Sequence, residues 1–576
     1  MDQPRNDMTV RAAPRYGPFA LLCIPYLLLV YRFWFLTDDA FITFRYAKNL
    51  AEGHGLRFNL GPQPPVEGYS NFLWVLVAAI FEALRWDLTI WMLLVSTACG
   101  VVLLWRVYDA LIRRLEVSGP VAWLATLALG CFPPMALWAT SGMETMPFAL
   151  LIFLVFELLI LRKGAPAGVA AGCCGLLLTL IRVEGVAWMA VLFLMALLAR
   201  RPGSWRAFRP FAICLLIVGI GYAVYFVWRY HYYGSPWPNT LYAKATLDEQ
   251  RLMRGVSYVV SFALNFLTAL LVLPGSLRAL FRKDKAVSLS VAAMAWAFPT
   301  YAVVVTGDWM AMGRFLVPSF AFAAILSAWL LDDLWRRGKT ARWTAAAVTA
   351  ACIVIALLPG WNVLLVPRSW LERFHFRLVG QETTTECESW GLHVLNTRLA
   401  TTRGKALYSY VAQRRLHDQD ASFVTGAIGA NGYYSGLYIF DKFGLVTPEV
   451  GRRELDEEQE LSRPAGHDKY VPTAYFLKDN PTIIVARIVR NRDAGVVASE
   501  LEKYGRKQWS HTDEAILRER YTPDFARVPP TGDDDTPEYI FTLTRIDPGA
   551  PPAQAHGDFF ARLRKLRVEG HLPLPQ

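Results

Sequence analysis

The 576-residue chain is 54% hydrophobic, with a mean hydropathy of +0.28 and a formal net charge of +11. So apolar a chain is not an ordinary soluble protein. Its basic excess sits in short loops between apolar blocks, where it sets topology rather than forming a nucleic-acid surface. Of eight cysteines only Cys387 lies outside the apolar region, which leaves neither a disulfide framework nor a CxxC metal pair.

Apolar blocks of membrane-crossing length, about 20 residues, recur from Pro18 to about Leu365 and then stop. The reading is an all-α polytopic membrane domain over residues 1–365, with about eleven crossing helices, followed by a small α/β domain over 366–576 outside the membrane. The first block is retained, because charge rather than a cleavage site follows it.

That block ends at Leu36, and Asp38 and Asp39 follow at once. Thr37 is a candidate N-cap, and Ala40, Phe41, Phe44, Ala47, Leu50 and Ala51 recur at helical spacing. The pattern predicts an amphipathic helix on the membrane surface that ends at Gly53 and Gly55. The two carboxylates stand at its N-terminus. Capping alone needs one of them; the second invites a division of labour, one holding a cation or a neighbour and the other accepting a proton.

"VEGYSNF" (66–72) follows, with Glu67, Tyr69 and Asn71, and then the apolar run 71–84. That run is short for a span. If it does not cross, Arg113-Arg114, Arg162-Lys163 and the basic loops at 199–209, 278–285 and 336–342 all fall on the cytoplasmic side with Arg5, Arg11 and Arg15. The polar clusters then share the opposite face: Asp38-Asp39, "VEGYSNF", Glu144 in "SGMET", Arg182 and Glu184 in "RVEG", Asn239 and Lys244 in "PNTLYAK", and Asp308 and Arg314 in "GDWMAMGR". An extracytoplasmic site has no pool of nucleotide-activated substrate, and the chain carries no Walker A motif or strand-linked G-x-G-x-x-G. Group transfer there calls for a membrane-borne donor such as a lipid-linked phospho-sugar, its phosphate met by arginine, lysine or a metal.

In the C-terminal part, "ASFVTGAIG", "LYIFD", "TIIVARIV" and "EYIFTLTRI" read as strands and "ANGYYSG" as a turn whose Tyr433 and Tyr434, with Tyr438, offer sugar-stacking faces. "AGHDKY" (465–470), with His467, Asp468 and Lys469, reads as a polar loop.

The ordered set "DDAFITFRYAKNLAEGHGLRFN", "EGYSNFLW", "SGMET", "RVEG", "PNTLYAK", "GDWMAMGRFLVP" and "GHDKYVPTAYFL" resembles the GT-C glycosyltransferases, in particular the mycobacterial terminal arabinofuranosyltransferases and their bacterial relatives. Two positions depart from that pattern: Val183 and Ala311-Met312 stand where proline is expected. The resemblance implies an inverting transfer of a sugar, arabinofuranose or another pentose or hexose, from a polyprenyl-phosphate carrier to an external glycan, glycolipid or protein. It implies a bacterial inner-membrane enzyme working on the outer face, with Asp38 or Asp39 as general base. Arg182, Glu184, Asp308, Arg314, Lys244 and Asn239 are then expected to face the donor phosphate and sugar. Glu67, Tyr69, Asn71, Glu144, His467, Asp468 and Lys469 are expected on the acceptor side or in support. A divalent cation (Mg or Mn) at Asp38 and Asp39 is an open option, and membrane lipid rather than nucleic acid is the surrounding partner. The alternatives are a transporter or lipid-carrier flippase, which would place charges near the bilayer midplane, and a structural scaffold.

Overall fold

A computed structural model describes residues 17–244, 249–358, 386–416, 421–454, 466–507, 519–531, 534–546 and 552–570. The expected domain boundary at 365/366, the N-terminal arginines Arg5, Arg11 and Arg15 and the Cys387 side chain lie outside the described residues. Among the described residues five helices are long and apolar enough to cross a membrane, or seven if two bent pairs each count as one span. The five are α4 (Leu88–Arg113), α10 (Trp205–Tyr233), α14 (Lys285–Val304), the segment Ala311–Trp335 that ends in α15 (Phe320–Trp335), and α16 (Lys339–Leu357). The bent pairs join α5 (Gly119–Gly130) to α6 (Pro133–Thr140) at 54°, and α12 (Glu249–Asn265) through a 3-10 turn to α13 (Val272–Ala279) at 100°. Shorter apolar helices are α1 (Gly17–Arg32), α3 (Phe72–Ala83), α7 (Thr145–Phe156), α8 (Ala165–Ile181) and α9 (Gly185–Arg200). The expected eleven spans exceed these seven; reaching eleven would require α1, α7, α8 and α9, which are shorter than the crossing helices.

The predicted helix is α2 (Asp38–Ala51), but it is not a one-faced surface helix: Ala40 to Ala47 are all buried, Thr43 and Arg45 included, because α3 and the C-terminal part pack on it from different sides. Its two N-terminal aspartates favour the positive end of the helix dipole. It stops at Glu52, where Gly53 takes a φ of +85° that side chains rarely adopt. Thr37 occupies the N-cap position without capping, its hydroxyl donating to the Ser141 carbonyl at 3.3 Å. α3 packs along α2. At the far end of α3, Glu82 sits in the electrostatic field of Lys48 and Glu52 of α2, while Asn71 at its near end bonds Thr43. Both ends of α3 therefore belong to one layer.

The C-terminal part opens with α17 (Glu386–Gln413), followed by a five-stranded sheet in the order β2-β1-β3-β5-β4. β1 (Ser422–Thr425) pairs in parallel with β2 (Tyr438–Asp441) and β3 (Ile483–Arg490); β5 (Glu538–Arg545) runs antiparallel to β3 and to β4 (Tyr521–Val528). Four of these are the predicted strands. β4 was not predicted because Pro523 interrupts it, which an edge strand tolerates. "ANGYYSG" is a correction: it forms a short helix, α18 (Gly429–Ser435), rather than a turn. α19 (Ala494–Lys507) and α20 (Pro552–Glu569) cover one face of the sheet around Val497, Leu501, Phe541 and Phe559. α17 and α18 link the sheet to α2, and one hydrophobic cluster runs from the helical bundle through Phe41 and Tyr410 to Ile439.

Candidate active site

The two adjacent aspartates face different neighbours. Asp38 accepts the backbone N–H groups of Gly429 (3.1 Å) and Ala430 (2.9 Å), one on each carboxylate oxygen. It therefore fastens the start of α2 to the start of α18. Burial, and secondarily Asp39, push its pKa up to about 6 against the pull of the two amides. Gly429 is required by this approach, since a Cβ there would lie 1.8 Å from the Asp38 carbonyl oxygen. Further along α2, Arg45 donates to the carbonyls of Phe58 and Leu437, both at 2.6 Å, a second rivet across the seam.

Asp39, one residue on and about 100° around the helix, accepts no hydrogen bond and enters no ion pair among the described residues. Its charge is felt by Lys244 and His393. Lys244 lies along Gly466, reaches water, and forms no salt bridge among the described residues. Burial nonetheless draws its ammonium below the ordinary lysine pKa, with Asp39 and Asp308 opposing; a side chain lining a recess meets both conditions. His393 of α17 is buried against Trp309, ring centroids 4.5 Å apart, and desolvation keeps its imidazole below the ordinary pKa. His467 meets the same indole edge-on at 5.0 Å.

The other charged residues are braced. Glu144 accepts Asn71 Nδ2 (2.8 Å) and Arg182 Nη1 (2.5 Å), and Arg182 Nε donates to Glu184 (2.6 Å). Arg314 grips Asp308 through Nε and Nη2 (2.7 and 3.0 Å), leaving Nη1 on the Met143 sulfur, a weak acceptor. The loop that carries Asp308 and Arg314 is strained: Thr306, Gly307, Met312 and Gly313 all have positive φ. Arg254 holds it by donating to the Thr306 carbonyl and hydroxyl, and is itself held by Asp468 (3.0 and 3.2 Å). Lys469 donates to the carbonyls of Tyr242 and Gly451. Asn239, the first residue of α11 (Asn239–Lys244), donates to those of Gly444 and Leu445. Glu67 pairs with Arg229, and Tyr69 bonds Tyr233.

The expected set thus divides. Asp39, Lys244, Asp308, Arg314 and His467 are brought toward one recess around Trp309, joined there by His393. Glu144, Asn71, Arg182 and Glu184 form a single linked network. Asn239, Glu67, Tyr69, Asp468 and Lys469 stitch loops and the C-terminal part to the helices. Tyr433 and Tyr434 pack on Phe41 of α2 at the seam. His393, Arg254 and Arg45 were not predicted, because nothing local distinguishes them from ordinary polar positions on a helix. Each oxygen of Asp38 accepts one amide, and among the described residues no group of three His, Cys, Asp or Glu side chains is gathered.

An apolar cavity of about 640 Å³ opens beside this recess, lined by α5 and α12 to α16. Phe262 and Leu316 line it and pack against Gly313, next to Arg314. Its far end is marked by Arg278, Asp333 and Arg337.

Comparison with known proteins gives three findings. A family model described as a domain of unknown function, DUF8728, matches residues 398–537. No curated protein sequence matches the chain. Among solved structures, ArnT from Cupriavidus metallidurans bound to undecaprenyl phosphate is similar at a TM-score of 0.54 and 14% identity, covering 91% of this chain and 98% of ArnT. Arabinofuranosyltransferase AftD from Mycobacteria aligns at a TM-score of 0.47 and 13% identity, covering 96% of this chain, which spans 43% of AftD. The likeness to ArnT shows the fold: a GT-C membrane domain followed by a small α/β domain, in a multi-pass membrane protein.

Proposed function

We propose that the chain is a membrane glycosyltransferase that moves a sugar from a polyprenyl-phosphate carrier to a glycan, glycolipid or protein outside the bacterial inner membrane, with Asp39 as general base. The observation that carries the reading is the contrast within the aspartate pair: Asp38 is occupied by two backbone amides, and Asp39 is left with its charge toward Lys244 and His393. The GT-C fold shared with a protein that binds undecaprenyl phosphate supports it. So does the apolar cavity, of a size and lining suited to part of an isoprenoid tail.

In the reaction, an acceptor hydroxyl attacks the anomeric carbon as Asp39 takes its proton. The bond from that carbon to the phosphate oxygen breaks, and polyprenyl phosphate departs with the electron pair. The anomeric centre inverts. Lys244 and the Nη1 of Arg314, which has only the weakly accepting Met143 sulfur to give up, meet the charge growing on the phosphate, which preorganised cations stabilise best in a site shielded from water. Arg182 is held by Glu144 and Glu184 and fixes the wall of the recess. Incubating the purified protein with labelled polyprenyl-phosphate pentoses and hexoses and with envelope glycans tests the reading. Labelled glycan from wild type and none from Asp39→Asn is expected; no transfer from any donor, with carrier moved across vesicles instead, would establish a flippase.

A further inference from the structure

A second cavity, of about 280 Å³, lies away from the recess at the seam between the loop after α2 and the C-terminal sheet. One wall is residues 58–66, pinned to the edge strand β2 by Asn59, whose side chain donates to the Ile439 carbonyl and accepts its N–H, both at 2.9 Å. The other wall comes from Tyr438, Phe440, residues 446–449 and residues 475–479. Five aromatic side chains line it, interleaved with Asn59, Gln63, Glu449 and Asp479. Rings flanked by amides and carboxylates match a carbohydrate, whose C–H faces pack on aromatics while its hydroxyls bond polar side chains. Two carboxylates against the single ammonium of Lys478 disfavour an anionic ligand, and the polar groups disfavour a lipid tail.

One loop ties this cavity to the reaction centre. Buried Asp441 folds residues 441–447 by accepting the N–H groups of Phe443 (2.8 Å) and Val446 (3.1 Å), and Asn239 holds the loop's carbonyls. Phe443 then lies on His467 at 4.5 Å, on the side of Trp309, while Val446, Thr447 and Glu449 line the cavity. The geometry points to a subsite for a short stretch of the acceptor glycan, read at a distance from the hydroxyl being glycosylated. This rests on the glycosyltransferase reading for its acceptor role, though not for carbohydrate binding itself.

The test is binding of the detergent-solubilised full chain to an array of bacterial envelope oligosaccharides, without donor. Wild type should bind at least one glycan. Tyr475→Ala should weaken that binding about tenfold, as loss of an aromatic platform does. The exposed pair Glu449→Gln with Asp479→Asn should weaken it too, and serves if Tyr475→Ala does not fold. Binding of no glycan, or binding by the acidic-pair variant equal to wild type, overturns the proposal. Sugar transfer is scored separately: glycan binding without transfer would remove the enzymatic reading and leave the subsite standing.

Discussion

Replacing each aspartate by asparagine separates the proposed proton acceptor, Asp39, from the clamp, Asp38. Asparagine keeps the volume and removes the charge. At Asp39 there is no hydrogen bond to lose among the described residues, so stability should hold. Transfer should fall by about 10²–10⁴, the contribution of a positioned general base. At Asp38 the amide can still accept one N–H, from Gly429 or Ala430, but its NH2 faces the other. One buried donor then goes unmet, at about 1–3 kcal/mol, felt where α2 meets α18. The melting temperature should drop while transfer at low temperature declines only severalfold. The assay pairs radiolabelled sugar transfer with thermal unfolding of the detergent-solubilised protein. Asp39→Asn at the wild-type rate, with Asp38→Asn inactive but fully stable, would refute the assignment.

Other outcomes follow from the same geometry. Gly429→Ala should lower both stability and transfer, because its Cβ would meet the Asp38 carbonyl at 1.8 Å, whereas Gly557→Ala, with open space around it, should leave both near wild type; thermal scans of the two decide. Lys244→Ala should raise the KM for donor more than Lys244→Arg, measured against donor concentration, because the phosphate loses a cation that no carboxylate occupies. The pH profile has a stated sign. Asp441 is fully buried and its pKa is raised from 3.8 to about 6, so the folded state holds the proton more tightly and this group's contribution to stability falls as pH rises between those values. Asp441→Asn should flatten that part of the melting-temperature profile, and an unchanged slope would remove Asp441 as its source.

Periodicity made the helices and four strands readable, because each buries its own face. α18 was not readable for a physical reason: the two N–H groups at its start are capped by Asp38, 391 residues away in sequence for Gly429. "ANGYYSG" alone carries only glycine and asparagine, which read as a turn. The same gap hid His393, whose relation to Trp309 exists only once α17 packs against the segment that follows Trp309. Sequence showed that two adjacent carboxylates were more than a cap needs, and not which would work. The contrast between them exists only once the C-terminal part is in place. With α18 docked, Asp38 is spent on the seam, and the helical turn of about 100° sends Asp39 elsewhere. On the proposed function, the pair is adjacent because one carboxylate fastens the C-terminal part and the other is left to the recess beside it. On that logic, loosening the seam should disturb Asp39 through its surroundings, so that a charge-removing change at Asp38 lowers transfer by misplacing His393 and Trp309. Shortening the grip of α18 by Gly429→Ala should then reproduce the Asp38→Asn phenotype, and the double variant should lose little more than either alone, which a double-mutant cycle on melting temperature and rate reads directly.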